Sequence, residues 1–460
     1  MKPSIFKKSK AAAFFLALVF LLFPAQAADR PNVIIIIADD LGYADVGYQG
    51  SPDMVTPNID SIARNGVQFS AGYVSAPVCG PSRAGLLTGV YQNRFGFEDN
   101  PGPYRRSELV KVGIPKTIKT LPERILAAGY RTGMIGKTHT GTDPEFLPNA
   151  SGFEEFFGFN NGASNYVSDG KFGVKINQTN NPILHDDKPV EESEYITDAF
   201  GREAVAFINR HKTEPFFLYV AFNAIHGPMQ PKPEDFERFN NIQDPLRRKA
   251  VSMNYTLDTN VGRILKALQA NGLDKNTLVF FLSDNGGKPN NNGSLNTPLR
   301  GEKGQLWDGG IRIPFCAQWP ARIAAGGLID TPIISLDLLP TILAATGAPL
   351  SDPVDGVDLI PILTGKTSSL LDRYIFWRFN DAHALRNGEW KYVSSSSKKK
   401  PELFHISTDI SEANDLSQDK PDVLQQMEKI YNEWNSQLMQ KQWGWDKSFP
   451  VYDPKFSGEG

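Results

Sequence analysis

Apolar runs of strand length recur along the chain, separated by longer amphipathic stretches. The clearest cover residues 33–38, 130–135, 216–222 and 277–282. They are continuous rather than alternating, which predicts strands covered on both faces. Helical patterns lie between them. One spans residues 121–128 and stops at Gly129, a residue suited to ending a helix. This alternation predicts an α/β fold: a large, mixed, mostly parallel sheet sandwiched by helices.

Each of these runs is followed by polar residues. Asp39 and Asp40 follow the first, Lys137 and His139 the second, His226 the third, and Asp284 and Asn285 the fourth. Any one of these is ordinary turn or cap chemistry. Open α/β sheets bind ligands beyond the carboxyl ends of their strands, however, so four such deliveries predict an active-site edge.

Beyond residue 365 the pattern changes. Residues 374–377, 384–386, 390–393 and 403–405 read as short antiparallel strands, with Asn387-Gly388 as a hairpin turn. Residues 423–439 place Val423, Leu424, Met427, Ile430, Tyr431, Trp434 and Leu438 on one helical face. The expected organisation is a signal segment (1–27), a catalytic domain (28–365) and a smaller C-terminal antiparallel sheet with a packed helix (366–460). Residues 394–400 read as a polar loop. No internal repeat is visible.

The length of 460 residues suits such a large domain with a smaller one. A net charge of −3 gives no basic field for nucleic acid, so an anionic substrate needs local cations. At the start, Lys2, Lys7, Lys8 and Lys10 precede an apolar stretch from Ala11 to Leu22, and Ala25-Gln26-Ala27 fits a cleavage site. The stretch is short for a membrane span. Export by a cleaved signal peptide to the periplasm or outside is expected, with no stable membrane insertion. The two cysteines are Cys79 and Cys316, and Cys316 reads as a core hydrophobe in a buried strand.

Cys79 opens the run Cys79-Gly80-Pro81-Ser82-Arg83, which continues to Thr88-Gly89. An extended segment is expected to turn into a helix here, with Pro81 at its first position and Gly89 as its stop. A helix N-terminus favours anions, and Arg83 lies one turn on. Asp39, Asp40, Asp284 and Asn285 bring four oxygen donors to adjacent strand ends. Hard oxygen ligands without Cys or His at zinc spacing select Ca²⁺ or Mg²⁺. Lys137, His139, His226 and Lys303 supply cations and proton carriers suited to an ester that gains negative charge on its leaving oxygen. His185, His211 and His383 adjoin no other site element and are expected to be solvated.

Taken together these motifs resemble the type I, formylglycine-dependent sulfatases of the alkaline phosphatase superfamily. The resemblance rests on the Cys79 motif, on Asn32 through Tyr43, on Gly129 through His139, and on Ile225-His226-Gly227-Pro228. Ser283-Asp284-Asn285-Gly286, Gly301-Glu302-Lys303-Gly304 and Arg386 through Lys391 extend it. It implies an alkaline phosphatase-like fold and a Cys79 oxidised to formylglycine by a sulfatase-maturing enzyme. It further implies that Asp39, Asp40, Asp284, Asn285 and the modified Cys79 hold Ca²⁺, and that Arg83 and Lys137 steady the aldehyde hydrate. One hydroxyl of that hydrate would attack sulfur, assisted by Asp284. Lys303 and His226 would bind the sulfate, with His226 as proton donor to the leaving alcohol. His139 would take the proton from the second hydroxyl and expel sulfate. Thr138 and Thr140 depart from the family pattern, in which many members carry Trp and Leu, and are expected to reshape the pocket lip.

Two other readings share this pattern: a phosphonate monoester or phosphodiester hydrolase of the same superfamily, and a non-catalytic glycan-binding protein on the scaffold. The sulfatase contexts of Lys137, His139 and Lys303 disfavour the first, and the complete residue set disfavours the second. The stretch 73–101 resembles bacterial enzymes acting on sulfated polysaccharides, including algal galactans such as carrageenan. A sulfated carbohydrate is therefore the expected partner. Candidate rim stretches are 94–106, 286–300 and 379–383.

Overall fold

The computed structural model describes residues 30–102, 111–141, 143–167, 181–370 and 373–444. The expected signal segment and positions 103–106 of the first rim stretch lie outside the described residues. The strands of the larger part are β1 (Asn32–Ala38), β2 (Val67–Phe69), β3 (Gly72–Tyr73), β4 (Arg131–Lys137), β5 (Glu155–Phe159) and β6 (Ile183–His185). They continue as β7 (Lys188–Val190), β8 (Phe216–Ala221), β9 (Thr277–Ser283), β10 (Phe315–Gln318), β11 (Gly327–Ile329) and β12 (Ile333–Ile334). β3 and β12 pair with each other, and the other ten form one sheet in the order β11-β2-β10-β9-β1-β8-β4-β5-β6-β7. The central five, β9-β1-β8-β4-β5, are parallel. Antiparallel pairs enter toward both edges, at β10 and at β6 and β7.

The continuous apolar runs have a direct cause. In β1, Val33, Ile35 and Ile37 enter one apolar cluster while Ile34 and Ile36 enter the other, and all are fully buried. Each such side chain contributes about 1.5–3 kcal/mol on burial. The Ile196–Arg210 and Pro245–Ala270 helices cover one face of the sheet. The Cys79–Thr88 and Leu338–Thr346 helices cover the other. Cys316 is fully buried in β10 and forms no disulfide.

A second, four-stranded antiparallel sheet comprises β13 (Tyr374–Phe379), β14 (Ala382–Asn387), β15 (Trp390–Ser394) and β16 (Glu402–His405). Gly388 takes φ +52° in the turn between β14 and β15, the left-handed conformation for which glycine carries no penalty. The Pro421–Asn435 helix packs on this sheet through Met427, Tyr431 and Trp434 and ends before the expected Met439. Trp377, Leu385, Tyr392 and Leu403 join the same apolar cluster as one face of the large sheet. A buried ion cluster reinforces this union. Lys391 Nζ lies 2.6 Å from Asp308 and 2.7 Å from Glu412, and all three side chains are fully buried. Asp308 follows the loop that carries Lys303, so the small sheet helps to place that loop.

Among the described residues no helix is long and apolar enough to cross a membrane. His211 and His383 are not solvated as expected. His211 Nε2 lies 2.6 Å from Glu155. His383 stacks on Tyr431 at 4.3 Å, and its Nε2 is 2.8 Å from the Tyr392 hydroxyl. Both are packing residues whose partners come from distant parts of the chain. His185 is exposed.

Candidate active site

The carboxyl ends of β1, β4, β8 and β9 open on one edge, and the ten residues singled out in the sequence lie there. Asp39 and Asp40 leave β1, Lys137 ends β4 with His139 two residues on, and Asp284 and Asn285 leave β9. Gly136 is required ahead of Lys137: it takes φ +104°, and a Cβ there would lie 1.9 Å from the Ala221 carbonyl oxygen. Asp40 and His139 themselves adopt φ 60° and 57°, a conformation that costs a non-glycine residue on the order of 1 kcal/mol or more.

Cys79 is the first residue of its helix, after an extended Val78. The helix therefore begins two residues earlier than expected, and Pro81 stands third. Proline remains compatible with the first turn because its missing N–H would have had no helical partner there. Gly80 cannot be larger, since a Cβ would come within 2.6 Å of the Pro101 ring and 3.0 Å of the His139 carbonyl oxygen. All ten residues of the helix are buried, and Gly89 closes it at φ +67°.

Three cations meet three carboxylates beside Cys79, pair by pair. Arg83 donates to Asp284 Oδ2 from Nε at 2.9 Å and from a terminal nitrogen at 2.7 Å. Lys137 donates to Asp39 at 2.6 Å. Lys303 lies 2.7 Å from Asp40 Oδ1 and 3.4 Å from Cys79 Sγ. Sγ itself is 3.6 Å from Asp39 Oδ1. Lys303 thus touches the cysteine, whereas Arg83 and Lys137, expected to steady the group at position 79, are bonded to the carboxylates flanking it. Breaking one such buried pair typically costs about 3–5 kcal/mol, because the remaining charge is left uncompensated.

Burial opposes ionisation throughout the cluster, and the neighbours decide each outcome. Burial would raise Asp39 and Asp40, but the surrounding cations outweigh it and hold both below the usual carboxylate range. Lys137 leads for Asp39 and Lys303 for Asp40. Asp284 is raised, by burial and then by the adjacent Asp39. Burial also works against the Lys303 charge, but Asp40 overcomes it and raises the ammonium pKa. His139 is held well below its ordinary range by burial and by Lys137, so it rests as the neutral imidazole.

His226 has a defined tautomer. Its Nδ1 donates to the Gly227 carbonyl at 2.7 Å, which leaves Nε2 facing Asp40 Oδ2 at 3.7 Å.

One ligand atom each from Asp39, Asp40, Cys79 and His226 lies within 4.8 Å of the others. Asn285 donates its amide nitrogen to Asp40 Oδ1 at 2.7 Å, while its buried Oδ1 has no hydrogen-bond partner. A buried acceptor of this kind calls for an electropositive partner. Together with Asp39 and Asp40 it fits a hard cation, whereas Asp284 stands outside that group with its Oδ2 held by Arg83.

Two contributors carry no sequence signal. The Tyr166 hydroxyl shares its one proton between the carbonyls of Asn223 and His226, the latter at 2.8 Å, and so pins the turn that presents His226. Asn100 Oδ1 accepts the Gly80 N–H at 2.8 Å, at the start of the Cys79 helix. Both lie in irregular segments remote in sequence from their partners. Tyr166→Phe removes the two hydrogen bonds and nothing else. It is expected to lower kcat by about tenfold, more on poor leaving groups than on activated ones, with KM little changed. An equal loss on both, or a loss confined to thermal stability, would show that the turn holds without the phenol.

Thr138 and Thr140 are buried beside His139. Thr138 donates to Asn160 Oδ1 at 2.6 Å.

Comparison with known proteins agrees with this geometry. Residues 31–348 match the family model described as Sulfatase, and residues 302–444 match that described as N-sulphoglucosamine sulphohydrolase, C-terminal. N-acetylgalactosamine-6-sulfatase of Mus musculus is 34% identical over 386 residues, covering 80% of this chain and 73% of that protein. Arylsulfatase A of Homo sapiens is 36% identical over 347 residues, covering 70% and 65%. Among solved structures, Ps i-CgsB in complex with k-i-k-neocarrahexaose aligns with a TM-score of 0.86 at 38% identity, covering 91% of this chain and 96% of that one. The fold, the clustered strand ends and the extent of these matches lead to one conclusion: the chain belongs to the sulfatase family and is a sulfuric ester hydrolase.

Proposed function

We propose that this enzyme is an exported, calcium-dependent sulfatase of carbohydrate sulfate esters, matured by oxidation of Cys79 to formylglycine by a sulfatase-maturing enzyme. The substrate class we favour is a sulfated oligo- or polysaccharide of the algal galactan type. The observation that carries the reading is the placement of Cys79: a buried helix start, 3.4 Å from Lys303 and flanked by carboxylates that are each neutralised by a cation. The 38% likeness to a protein solved with a neocarrahexaose supports the substrate class. The basic, apolar and small-residue order of the N-terminal sequence supports export.

Asp39, Asp40, Asp284, Asn285 and the modified Cys79 would hold calcium, which when bound would supply positive charge to the sulfate oxygens. A formylglycine hydrate supplies at position 79 a hydroxyl nucleophile that no encoded side chain offers. Lys303 binds the sulfate. His226 presents Nε2 to the leaving oxygen and gives it a proton. Burial, with Lys303 and Lys137, holds His226 below its ordinary range against the pull of Asp39 and Asp40, and an arriving sulfate adds the negative charge that favours the imidazolium. His139, neutral at rest, is ready to accept a proton when sulfate departs.

The test is a panel of sulfated galactan oligosaccharides, aryl sulfates and aryl phosphonate esters, assayed with protein co-produced with a maturing enzyme. Sulfate esters should be turned over far faster than phosphonates. Prolonged chelation should cut activity, with Ca²⁺ restoring it best. Faster phosphonate turnover would favour the related hydrolase, and zinc as the tightly bound native ion would overturn the calcium assignment. A matured protein that binds galactan without desulfating any member of the panel would be the glycan-binding scaffold instead.

A further inference from the structure

The loop between β15 and β16 takes no part in the chemistry above, yet its composition and position are unusual. It reads Ser394-Ser395-Ser396-Ser397-Lys398-Lys399-Lys400 in a chain whose net charge is −3. All three lysines are exposed, and among the described residues none forms an ion pair within 4.0 Å. The loop is nonetheless held in place. Asp381, at the tip of the β13–β14 hairpin, accepts the Ser397 N–H at 3.2 Å and its hydroxyl at 3.1 Å. The Lys399 N–H donates to the Ser396 carbonyl at 3.1 Å.

Two separate chains of contacts lead from this end of the small sheet to Cys79. On one side Asn380, next to Asp381, accepts from Lys441 at 3.0 Å. Lys441 pairs with Asp99 at 2.8 Å, and the neighbouring Asn100 accepts the Gly80 N–H. On the other side Glu402, which opens β16, pairs with Arg300 at 3.2 Å. Arg300 stands three residues before Lys303, which touches Cys79. The serine-lysine loop is therefore bracketed by the two segments that border the reaction centre.

We propose that this loop is a docking site for the polyanionic part of the substrate, the sulfated saccharide chain that flanks the sugar being desulfated. The proposal rests on the polysaccharide reading given above. Three exposed ammonium groups on a short tethered loop, of which Lys398 feels a nearby carboxylate, Asp381, complement a chain of repeating sulfates. Being exposed, they would raise the residence of a long substrate without touching the reacting sulfate.

The test uses the full matured chain and the triple variant Lys398→Ala, Lys399→Ala, Lys400→Ala. Direct binding is measured with dextran sulfate, a polyanion outside the proposed substrate class, and turnover with sulfated galactan polymer and a small aryl sulfate. The variant should bind dextran sulfate roughly tenfold more weakly at low salt, as three exposed ion pairs imply, with a smaller difference at high salt. KM for the polymer should rise by a similar factor, and kcat/KM for the aryl ester should stay unchanged. Equal binding by variant and wild type, or no binding by wild type, would overturn the proposal and leave the lysines as a solvated run. Wild type that hydrolyses aryl sulfate but no sulfated galactan would instead overturn the substrate reading, whatever the dextran sulfate result.

Discussion

Cys79→Ala is expected to abolish sulfate-ester hydrolysis, by a factor on the order of 10⁵–10⁶, the scale on which hydrolases lose activity when the nucleophile is removed. The encoded thiol cannot account for activity by itself. Reactive cysteines lie in electropositive, partly exposed settings that lower the thiol pKa. Cys79 is 1% exposed, and burial pushes its thiol up to about 12 against the pull of Lys137 and Lys303. Asp284 and Asp39 add to the rise. The same surroundings suit a neutral, oxygen-bearing group at that position. Activity should therefore track the fraction of protein in which peptide mass analysis finds Cys79 converted to an aldehyde. Protein bearing only the thiol should be as inactive as the alanine variant. Stability should change little, because a single sulfur atom is lost from a helix whose other buried residues remain. Full activity in unmodified protein would remove formylglycine from the account.

The second large effect separates the two histidines. General acid catalysis contributes typically ~10²–10⁴-fold. A sugar alcohol is a poor leaving group, so its oxygen needs a proton as the bond to sulfur breaks, whereas a phenolate departs with less help. His226→Ala should therefore slow sugar sulfates by about 10²–10⁴-fold and activated aryl sulfates far less. Lys303 is the competing donor, but Asp40 raises its pKa and so makes it a reluctant acid. His226 Nδ1 is committed to the Gly227 carbonyl, which leaves Nε2 as the reacting nitrogen. His139→Ala should slow both substrate classes, since its proposed step follows departure of the alcohol. Equal losses on both classes in His226→Ala would reduce that residue to a sulfate ligand and move the acid to Lys303.

Much of this was legible without coordinates, for identifiable reasons. Central strands of a covered sheet must be apolar on both faces, so β1, β4, β8 and β9 announced themselves as uninterrupted runs. The residues that leave them are local in sequence, so Asp39, Asp40, Lys137, His139, His226, Asp284 and Asn285 could be gathered at one edge. The Cys79 motif is likewise a single contiguous stretch. Its helix was displaced by two residues because proline is compatible with any position of a first turn, so Pro81 did not locate the start.

Other features depend on pairs of residues that no periodicity connects. The expectation of solvated His211 and His383 failed because Glu155 and Tyr431 are brought to them only by folding. The small sheet's strands were recognised as short runs around the Asn387-Gly388 hairpin turn, but the ion cluster joining Lys391 to Asp308 and Glu412 was not.

What the amino-acid order determined by itself, then, was the parallel core, the edge at which ligands bind and the residue types delivered there, since each depends on neighbours within a few positions. Tertiary structure alone decided which cation neutralises which carboxylate and that Tyr166 clamps the His226 turn. Those outcomes depend on how segments 57 to 263 residues apart pack, and burial then makes each pairing obligatory, because a charge or polar group removed from water must find its partner wherever the fold places one.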